Sequence, residues 1–489
     1  MKNIFYRIFA LTVAVILISG CNKLEDFGDT NVNPAATNTP NTAALLTNVL
    51  SGIGGYGRLD GPALYCQFYS ETQYTDFSLY SLNQATPMGI YSGFLYDLEN
   101  IIITNSDDAT KVVASLNGAN ENQIAIARIL KAYIFWTITD RWGDVPYSEA
   151  LKGDPNVAYD TQESIYKDLI KELTEAVGQF TTGAAIRGDV IYNGNIAKWK
   201  KAANSIRMLM ALRLSKVYPG TAEYAATEFK AALANAAGHI AANDDNFTVN
   251  YPGGNFRNPF YNMYFGRKDY GESKTMTDLL SSLGNDPRLS VYGATVNGAF
   301  STNGVPYGWK RESIEAWTGA NPTWTYVLHP DFRQDNSPLV LIRAASLLLA
   351  RAEAADRGWT TENVNNLYEA GIEASFTQWS LPEPEDTYLT NPAIALDNPA
   401  GTGANMPKIA LQQYIAYYPD GLQGWSNWRR TNVPALVPAP DAINSPKVIP
   451  RRYTYGTADY ALTKTGVEAA VARLQGGDKM DSRVWWDKQ

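Results

Sequence analysis

The chain has 489 residues, with 41 lysines and arginines against 49 aspartates and glutamates, so its formal net charge is −8. This acidic balance argues against nucleic acid as a partner, because phosphate binding requires a basic surface. A composition of 45% apolar and 18% charged residues is typical of a globular protein with a sizeable core, and it excludes an intrinsically disordered chain.

Residues 1–20 are predicted to be a lipoprotein signal peptide that is removed. Lys2 and Arg7 give it a positive start, and the apolar stretch 8–18 is too short to span a bilayer comfortably. The signal ends in Leu-Ile-Ser-Gly before Cys21, which resembles the lipobox of bacterial lipoproteins. Cys21 is therefore predicted to be the lipidated first residue of the mature chain. The alternative is an ordinary cleaved signal followed by an incidental cysteine.

Residues 21–42, which begin with the lipidated cysteine, are polar and rich in Asn, Pro and Thr, which is typical of a flexible tether. No later segment has 18 uninterrupted apolar residues, so the chain is expected to be anchored to a membrane and not to cross it. Lys23, Glu25 and Asp26 resemble the acidic signal that sends some lipoproteins to the outer face of the outer membrane. We therefore expect a lipid-anchored protein that faces the exterior of a Gram-negative bacterium.

Apolar residues recur every three or four positions in several segments of the body, which is the spacing of one helix face. Asp160 and Glu163 are predicted to form a capping box at one helix start, and Asn195 is predicted to cap another helix. Short turns separate the helices, which suggests pairs stacked like tetratricopeptide repeats, although the sequence signature of that repeat is absent. The predicted helices cover residues 122–140, 160–180, 195–217, 221–233, 338–357 and 362–379.

Between residues 240 and 336 the sequence becomes dense in Gly, Pro and Asn, and residues 251–330 contain 14 of the aromatic side chains. This segment is predicted to be a loop-rich insertion in a single domain that covers residues 43–489. Loops on a rigid scaffold often carry binding residues, but aromatic residues buried under long loops are equally ordinary.

Three motifs that could carry chemistry were considered, and none predicts catalysis. Gly52, Gly54 and Gly57 form a G-x-G-x-x-G pattern, but the residues before it read as a helix, so a helix end with a turn is favoured over a nucleotide site. His239 and His329 are far apart and few cysteines remain, so we expect no metal and no cofactor. Residues 29–33 imitate the start of a calcium loop but lack its later glycine and glutamate.

Several segments resemble the SusD/RagB family of nutrient-binding outer-membrane lipoproteins, in particular its SusD-like branch. The most specific segment is Thr139–Ala150, which contains the block D-x-W-G-D-V-P-Y. The resemblance is collinear and spans nearly all of the mature chain. The other matching segments are residues 29–34, 127–132, 338–343 with 352–354, 425–430, 449–453, 476–478 and 483–487.

The resemblance implies an all-α fold of tetratricopeptide-like helix pairs with a loop-rich face that carries the ligand. It also implies a non-enzymatic surface protein that acts as a lid on a SusC-type TonB-dependent transporter and delivers oligosaccharides or peptides to it. The residues of the matching motifs are expected to have structural roles. One group is expected to fix the chain where it leaves a helix. Arg343 and Glu353 are expected to pair with each other or to bind the ends of nearby helices. The helix-exit group consists of Asp140, Trp142, Gly143, Asp144, Pro146 and Tyr147.

The ligand-binding residues are predicted from the chemistry of sugars, which offer flat apolar faces and many hydroxyls to exposed aromatic rings. For each candidate the alternative is a place in the core. Arg311 and Glu312 are candidates for the charged termini of a peptide, or are simply solvated. The aromatic candidates are Tyr74, Phe77, Tyr80, Trp309, Trp317 and Trp324.

Two other functions remain open at this stage. The first is a surface-anchored hydrolase acting on glycans, whose mark would be two carboxylates facing each other across a cleft at roughly 5–10 Å. The second is an envelope protein that only packs against the transporter, whose mark would be an aromatic patch without any concavity.

Overall fold

The structure is a computed structural model that describes residues 40–82, 85–153 and 157–488. The described residues from Thr42 onward belong to the second of the two units into which the chain divides. The predicted signal peptide, Cys21 and nearly all of the predicted tether lie outside the described residues. Within the described ranges, each helix is either too short or too polar to span a bilayer.

Helices dominate the second unit. Those of six or more residues are α1 (Thr42–Gly52), α2 (Asp60–Tyr65), α3 (Tyr96–Ser106), α4 (Asn120–Trp142), α5 (Gln162–Gln179), α6 (Ile196–Arg213), α7 (Tyr224–Leu233), α8 (Lys274–Ser282), α9 (Arg311–Ala320), α10 (Ala344–Asp356), α11 (Val364–Thr377), α12 (Met406–Tyr417), α13 (Gly421–Thr431), α14 (Thr457–Leu462) and α15 (Lys464–Arg473). Shorter helices are Met88–Ile90, Lys111–Ala114, Pro259–Met263, Leu289–Tyr292 and Asp386–Leu389.

Consecutive helices pack on one another as pairs. In the first half α4 packs on α5, α5 on α6 and α6 on α7, and in the second half α10 packs on α11 and α12 on α13. Helix α10 also contacts α6, which joins the two halves. The core between them is built around five fully buried tryptophans, so side-chain burial holds the pairs together. These are Trp136, Trp142, Trp199, Trp425 and Trp486. The predicted all-α fold of tetratricopeptide-like pairs is confirmed.

Two of the predicted helix starts are wrong, and one is confirmed. Asn195 caps α6, and its side chain accepts a hydrogen bond from the backbone N–H of Lys198 at 3.2 Å. Helix α5 is capped by Thr161 and not by Asp160, whose carboxylate instead accepts the backbone N–H groups of residues 147 and 148. The helix predicted to start at residue 338 starts at Ala344, because the residues before it form a strand.

The six strands found among the described residues are short and form three two-stranded antiparallel sheets. They are β1 (Tyr69–Glu71), β2 (Phe247–Val249), β3 (Tyr270–Glu272), β4 (Gly293–Ala294), β5 (Tyr326–Val327) and β6 (Leu339–Ile342). Strand β1 pairs with β3, β2 with β6, and β4 with β5. The predicted loop-rich insertion 240–336 therefore carries β2 to β5, the helices α8 and α9 and the short helices Pro259–Met263 and Leu289–Tyr292, with loops between them.

The glycine pattern at residues 52–57 lies at the end of α1. Gly52 is the last residue of that helix, and residues 53–57 form a 3₁₀ turn. A Cβ on Gly54 would lie 1.9 Å from the Tyr251 hydroxyl, so this glycine permits close packing. A dinucleotide site requires a strand before the glycines. The arrangement is thus a helix end with a turn.

Cys66 lies at the end of α2 and is fully buried. Its thiol lies 3.6 Å from the carbonyl oxygen of Ala63 and 3.7 Å from that of Gly421. Burial raises the pKa of the Cys66 thiol well above its usual value. Since a thiolate is the reactive form of cysteine, the side chain is a chemically quiet part of the core.

Candidate ligand-binding site

The helix-exit motif after α4 is held by buried hydrogen bonds. Asp140 is 1% exposed, and its carboxylate accepts hydrogen bonds from the Tyr166 hydroxyl and from the Trp486 indole N–H, the latter at 2.8 Å. The chain then turns at Gly143, where φ is +88°, a value that glycine adopts without strain. Asp144 Oδ1 accepts the backbone N–H of Gln162 at 2.8 Å, which ties the turn to the start of α5.

The rest of the motif is also engaged by neighbouring elements. The Trp142 indole donates to the carbonyl of Ala85 at 3.3 Å, and the carbonyl of Pro146 accepts the Tyr91 hydroxyl at 2.5 Å. Tyr147 donates its hydroxyl to Asp168 at 2.7 Å. Each of these contacts joins the helix exit to another part of the scaffold, which favours the structural role expected for these residues.

Arg343 and Glu353 do not satisfy each other. Arg343 Nη1 donates to the carbonyl of Tyr417, the last residue of α12, at 3.0 Å, so it binds a helix end. Glu353 is fully buried and accepts hydrogen bonds from Arg430 and Gln413, with Arg357 as a further ion-pair partner. The two residues were expected to pair with each other or to bind nearby helix ends. Arg343 binds a helix end, while Glu353 is paired with other side chains in the core.

The predicted aromatic candidates separate into exposed and buried groups. Tyr74 and Trp309 are exposed, at 53% and 36%, whereas Tyr80 and Trp324 are buried at 1% and 7%. The ring of Trp324 stacks on Tyr326 at 4.0 Å, and Trp317 packs half-buried against the same small cluster. Tyr80 accepts the backbone N–H of residue 439 at 3.0 Å inside the core. Tyr80 and Trp324 are therefore core residues and offer no face to a ligand.

Tyr74 and Phe77 line a cavity of about 530 Å³ at the end of the β1–β3 sheet. The register of that sheet places Glu71 directly opposite Tyr270, and both of these residues also line the cavity. Pairing of two strands that are about 200 residues apart in sequence thus assembles its floor. The remaining lining residues are Asp76, Ser81, Leu82, Ala85, Arg267 and Asp269. Trp309 and Trp317 do not line it.

Glu71 is the buried carboxyl of this cavity. Its Oε2 accepts hydrogen bonds from the backbone N–H of Ser78 at 2.8 Å and from the Ser78 hydroxyl at 2.5 Å. Burial raises the pKa of Glu71 to about 7, and the negative charges of Asp76 and Asp60 add to the effect, although the Ser78 bonds oppose it. Near neutral pH this carboxyl can therefore donate or accept a hydrogen bond from a ligand.

Two guanidinium groups contact the exposed ring of Tyr74. The Cζ atoms of Arg267 and Arg311 lie 5.2 Å and 5.3 Å from its ring centre, within the range of cation–π attraction. A ligand that stacks on Tyr74 therefore also meets one or both of these cations. Arg311 was a sequence candidate for charged ligand groups, and the structure brings it to the same ring as Tyr74.

Sequence reasoning missed Glu71, Arg267 and Tyr270. The sequence marks Arg267 and Tyr270 only as members of the segment 251–330, which is rich in aromatic residues, and it does not mark Glu71. No local pattern reveals the strand register that brings the three residues together. No group of three or more His, Cys, Asp or Glu side chains able to hold a metal ion occurs in the described ranges. The site is thus built from aromatic rings, three carboxyls and an arginine.

Comparison with solved structures gives the fold class. A chitin-binding protein is 29% identical, with 92% of this chain and 100% of that one covered, at a TM-score of 0.75. A chitin-binding SusD homologue from Flavobacterium johnsoniae is 24% identical, with 92% of this chain and 98% of that chain covered, at a TM-score of 0.75. A SusD homologue from Bacteroides uniformis is 23% identical, with 92% of this chain and 99% of that chain covered, at a TM-score of 0.76. The architecture is therefore that of the SusD-like proteins.

The family model described as "Starch-binding associating with outer membrane" matches residues 34–456. The chain belongs to this SusD-like family. No curated protein sequence matches it. Both the motif block after α4 and the cavity at the end of the β1–β3 sheet lie inside the matched residues.

Proposed function

We propose that the protein is a non-catalytic, surface-exposed lipoprotein that captures an oligosaccharide in the cavity beside Tyr74 and delivers it to a SusC-type TonB-dependent transporter. The observation that carries this proposal is the cavity itself, because the exposed ring of Tyr74, two half-buried aromatic rings and short polar groups converge there in a SusD-like fold. A sugar ring needs apolar contact on its faces and hydrogen bonds at its edges. Tyr74 and Phe77 supply the first, and Glu71 and Asp269 supply the second.

Chitin and starch fragments are the first ligands to test. The family description mentions starch binding, and two structural neighbours are described as chitin-binding. These descriptions apply to those proteins, and they support a glycan for this chain more than a peptide. The cavity volume of about 530 Å³ lies within the usual range for a small-molecule site.

The anchor is proposed from the lipobox at Cys21. Attachment through two or three acyl chains at this residue would hold the protein on the outer membrane. Replacement of Cys21 by Ser removes the thioether sulfur, so the variant should move from the detergent-phase membrane fraction to the aqueous fraction. Retention of the variant in the membrane would contradict lipid anchoring at this residue. Digestion of intact cells by an external protease would then test whether the protein faces outward.

The binding experiment is calorimetric titration of the protein lacking residues 1–21 with chitin and starch oligosaccharides. The test variant is Tyr74→Ala, and its matched control is Tyr96→Ala, since Tyr96 is equally exposed at 51% but lies on α3, outside the cavity. We expect the Tyr74 variant to bind at least tenfold more weakly and the Tyr96 variant to bind as the wild type does. Equal binding by both variants would refute the proposed site. No binding of any glycan would refute the proposed function.

A glycan hydrolase is the alternative, and one observation favours it. Glu71, with its raised pKa of about 7, lines the same cavity as Asp76 and Asp269, and glycosidases use a carboxylic acid of raised pKa together with a second carboxyl group. After each titration the solution should therefore be analysed for shortened oligosaccharides. Cleavage that is lost in Glu71→Gln would establish the hydrolase, whereas intact ligand supports the binding protein.

The transporter is tested by co-purification. A detergent extract of the native membrane, captured through a tag at the C-terminus, should contain a TonB-dependent transporter in stoichiometric amount. Absence of any such protein at the detergent concentration that keeps other outer-membrane complexes intact would refute the delivery step and leave glycan capture untouched.

A further inference from the structure

Arginine side chains alternate with aromatic rings along the loop that leads to the cavity. The Arg257 Cζ atom lies 5.7 Å from the ring centre of Tyr261 and 5.1 Å from that of Phe265. These two rings lie 6.1 Å apart, and Phe265 is 63% exposed. These contacts join the half-buried side chains of Arg257 and Tyr261 to the exposed ring of Phe265 on one segment of the chain.

The same pattern continues at the cavity. Arg267, which follows Phe265 by two residues, contacts the ring of Tyr74, and Arg311 contacts that ring as well. Two residues span at most about 7 Å, so the two halves of the pattern are adjacent. We call this set the arginine–aromatic strip. It consists of Arg257, Tyr261, Phe265, Arg267, Tyr74 and Arg311.

The charge of the strip is opposite to that of the whole chain. The sequence from residue 246 to residue 268 contains no aspartate or glutamate but includes Arg257, Arg267 and Lys268, whereas the chain as a whole has a net charge of −8. Arg257 forms no ion pair with any described residue, and its Nε donates to the backbone carbonyl of Gly254. Lys268 and Lys310, which are both exposed, likewise form no ion pair in the described ranges.

Two of the arginines do have carboxylate partners, but these pairs lie at the surface. Arg267 is paired with Asp269 at 2.5 Å and Arg311 with Glu315 at 2.8 Å, and the two arginine side chains are 58% and 52% exposed. Exposed ion pairs of this kind hold their partners weakly. A ligand anion can therefore replace the carboxylate or share the guanidinium, which has five N–H donors.

We propose that the arginine–aromatic strip binds a glycan that carries anionic substituents, either the carboxylates of sugar acids or sulfate esters. The aromatic rings would contact the faces of the sugar rings, and the guanidinium forks would take the anionic oxygens in bidentate fashion. This inference rests on the proposed function and names its ligand class. It gives a role to the guanidinium of Arg257, which forms no ion pair with a described residue and which a neutral glycan would not need.

The test compares three oligosaccharides of the same length, with hexaglutamate as an acidic-peptide probe, by calorimetric titration at low and high salt. The probes are chitohexaose, hexameric oligogalacturonate and a sulfated hexasaccharide of the carrageenan type. We expect at least one anionic probe to bind ten times or more tightly than chitohexaose, with an affinity that falls between 50 and 500 mM NaCl. Preference for oligogalacturonate alone assigns sugar carboxylates, and preference for the carrageenan fragment alone assigns sulfate.

Two variants locate the interaction. Arg257→Gln and Arg267→Gln should each weaken binding of the anionic probe by about tenfold, and Arg257→Gln, at a residue outside the cavity lining, should leave chitohexaose binding unchanged. The matched control is Arg187→Gln, because Arg187 is an exposed arginine that belongs to neither the strip nor the cavity lining. Thermal unfolding of Arg267→Gln should coincide with the wild type, since this side chain is 58% exposed. The same measurement on Arg257→Gln, whose side chain is half-buried, separates a loss of binding from a loss of fold.

Three outcomes would overturn the inference. Tighter binding of chitohexaose than of both anionic probes would refute the anionic ligand and leave the proposed function in place. Unchanged affinity in Arg257→Gln and Arg267→Gln would refute the strip as the binding surface. Preferential binding of hexaglutamate would assign an acidic peptide in place of a glycan. Failure of every glycan to bind would instead refute the proposed function itself.

Discussion

Arg430 Nη2 and Glu353 Oε2 form a hydrogen-bonded ion pair of 2.7 Å in the core, where Glu353 is fully buried and Arg430 is 4% exposed. Arg430→Met should lower the free energy of unfolding by about 3–5 kcal/mol, because it leaves a buried carboxylate with too few partners. Urea unfolding followed by circular dichroism measures this loss. Arg311→Met is the surface control, and it should change stability by less than about 0.5 kcal/mol. Equal losses in both variants would contradict the importance of the buried pair.

The same pair predicts how the protein responds to acid. Burial alone raises the pKa of Glu353, but the charges of Arg430 and Arg357 outweigh it and lower the pKa to about 2. A carboxyl whose pKa falls on folding contributes stability above its unfolded pKa of about 4.5 and loses it as the pH drops towards 2. Wild-type stability should therefore fall steeply over this range. A double variant, Glu353→Gln with Arg430→Met, should show a shallower fall, and an identical slope would refute the assignment.

The contribution of Glu272 to stability is expected to depend on pH with the opposite sign. Its two carboxyl oxygens are buried and accept no hydrogen bond from the part of the chain that the structure describes, and burial raises its pKa well above 4.5. The stability of the neutral form is fully present below pH 4.5 and is lost as the pH rises through the folded pKa. Glu272→Gln should therefore gain stability relative to the wild type as the pH increases, by more than about 1 kcal/mol between pH 4 and pH 8. Glu312→Gln, at an exposed residue, should show no such trend.

Two glycines should respond in opposite directions to alanine. Gly421 begins α13 against α2, and a Cβ there would lie 2.3 Å from the backbone nitrogen of Ala63. Gly421→Ala should therefore destabilise the protein by more than about 2 kcal/mol, since the backbones must move apart. Gly178, inside α5, has no atom within 4 Å of such a Cβ. Gly178→Ala should stabilise by about 0.4–1 kcal/mol. Thermal and urea unfolding measure the stability change of both variants. Destabilisation by Gly178→Ala would contradict the open space around a Cβ at this position.

Local patterns predicted those parts of the fold whose determinants lie close together in sequence. The cap at Asn195 was predictable because its partner is only three residues away. The start of α10 was not, because residues 339–342 become a strand only by pairing with β2, about 90 residues earlier. Leu and Val in such a run suit a buried helix as well as a strand. The distinction required the tertiary partner.

The site shows the same limit in another form. Tyr74 and Tyr80 are six residues apart and chemically identical, yet one is 53% exposed and the other 1%. Aromatic composition therefore predicted that a site exists but not which rings face it. Glu71 and Tyr270 enter the cavity only through the pairing of β1 with β3, which no local pattern specifies. Composition and motif gave the class of protein, and strand register gave the site.

The burial of Cys66 makes the folded body suitable for single-site labelling. In a protein that lacks Cys21, Cys66 is the remaining cysteine, and its raised pKa and lack of exposure protect it from thiol reagents. A cysteine placed at exposed Tyr96 would then react alone with a maleimide dye, while Cys66 stays intact. Such a protein would carry one fluorophore at a chosen position without any prior removal of native thiols. Energy transfer from this fluorophore to a label on the proposed transporter would then test whether the two proteins lie close together.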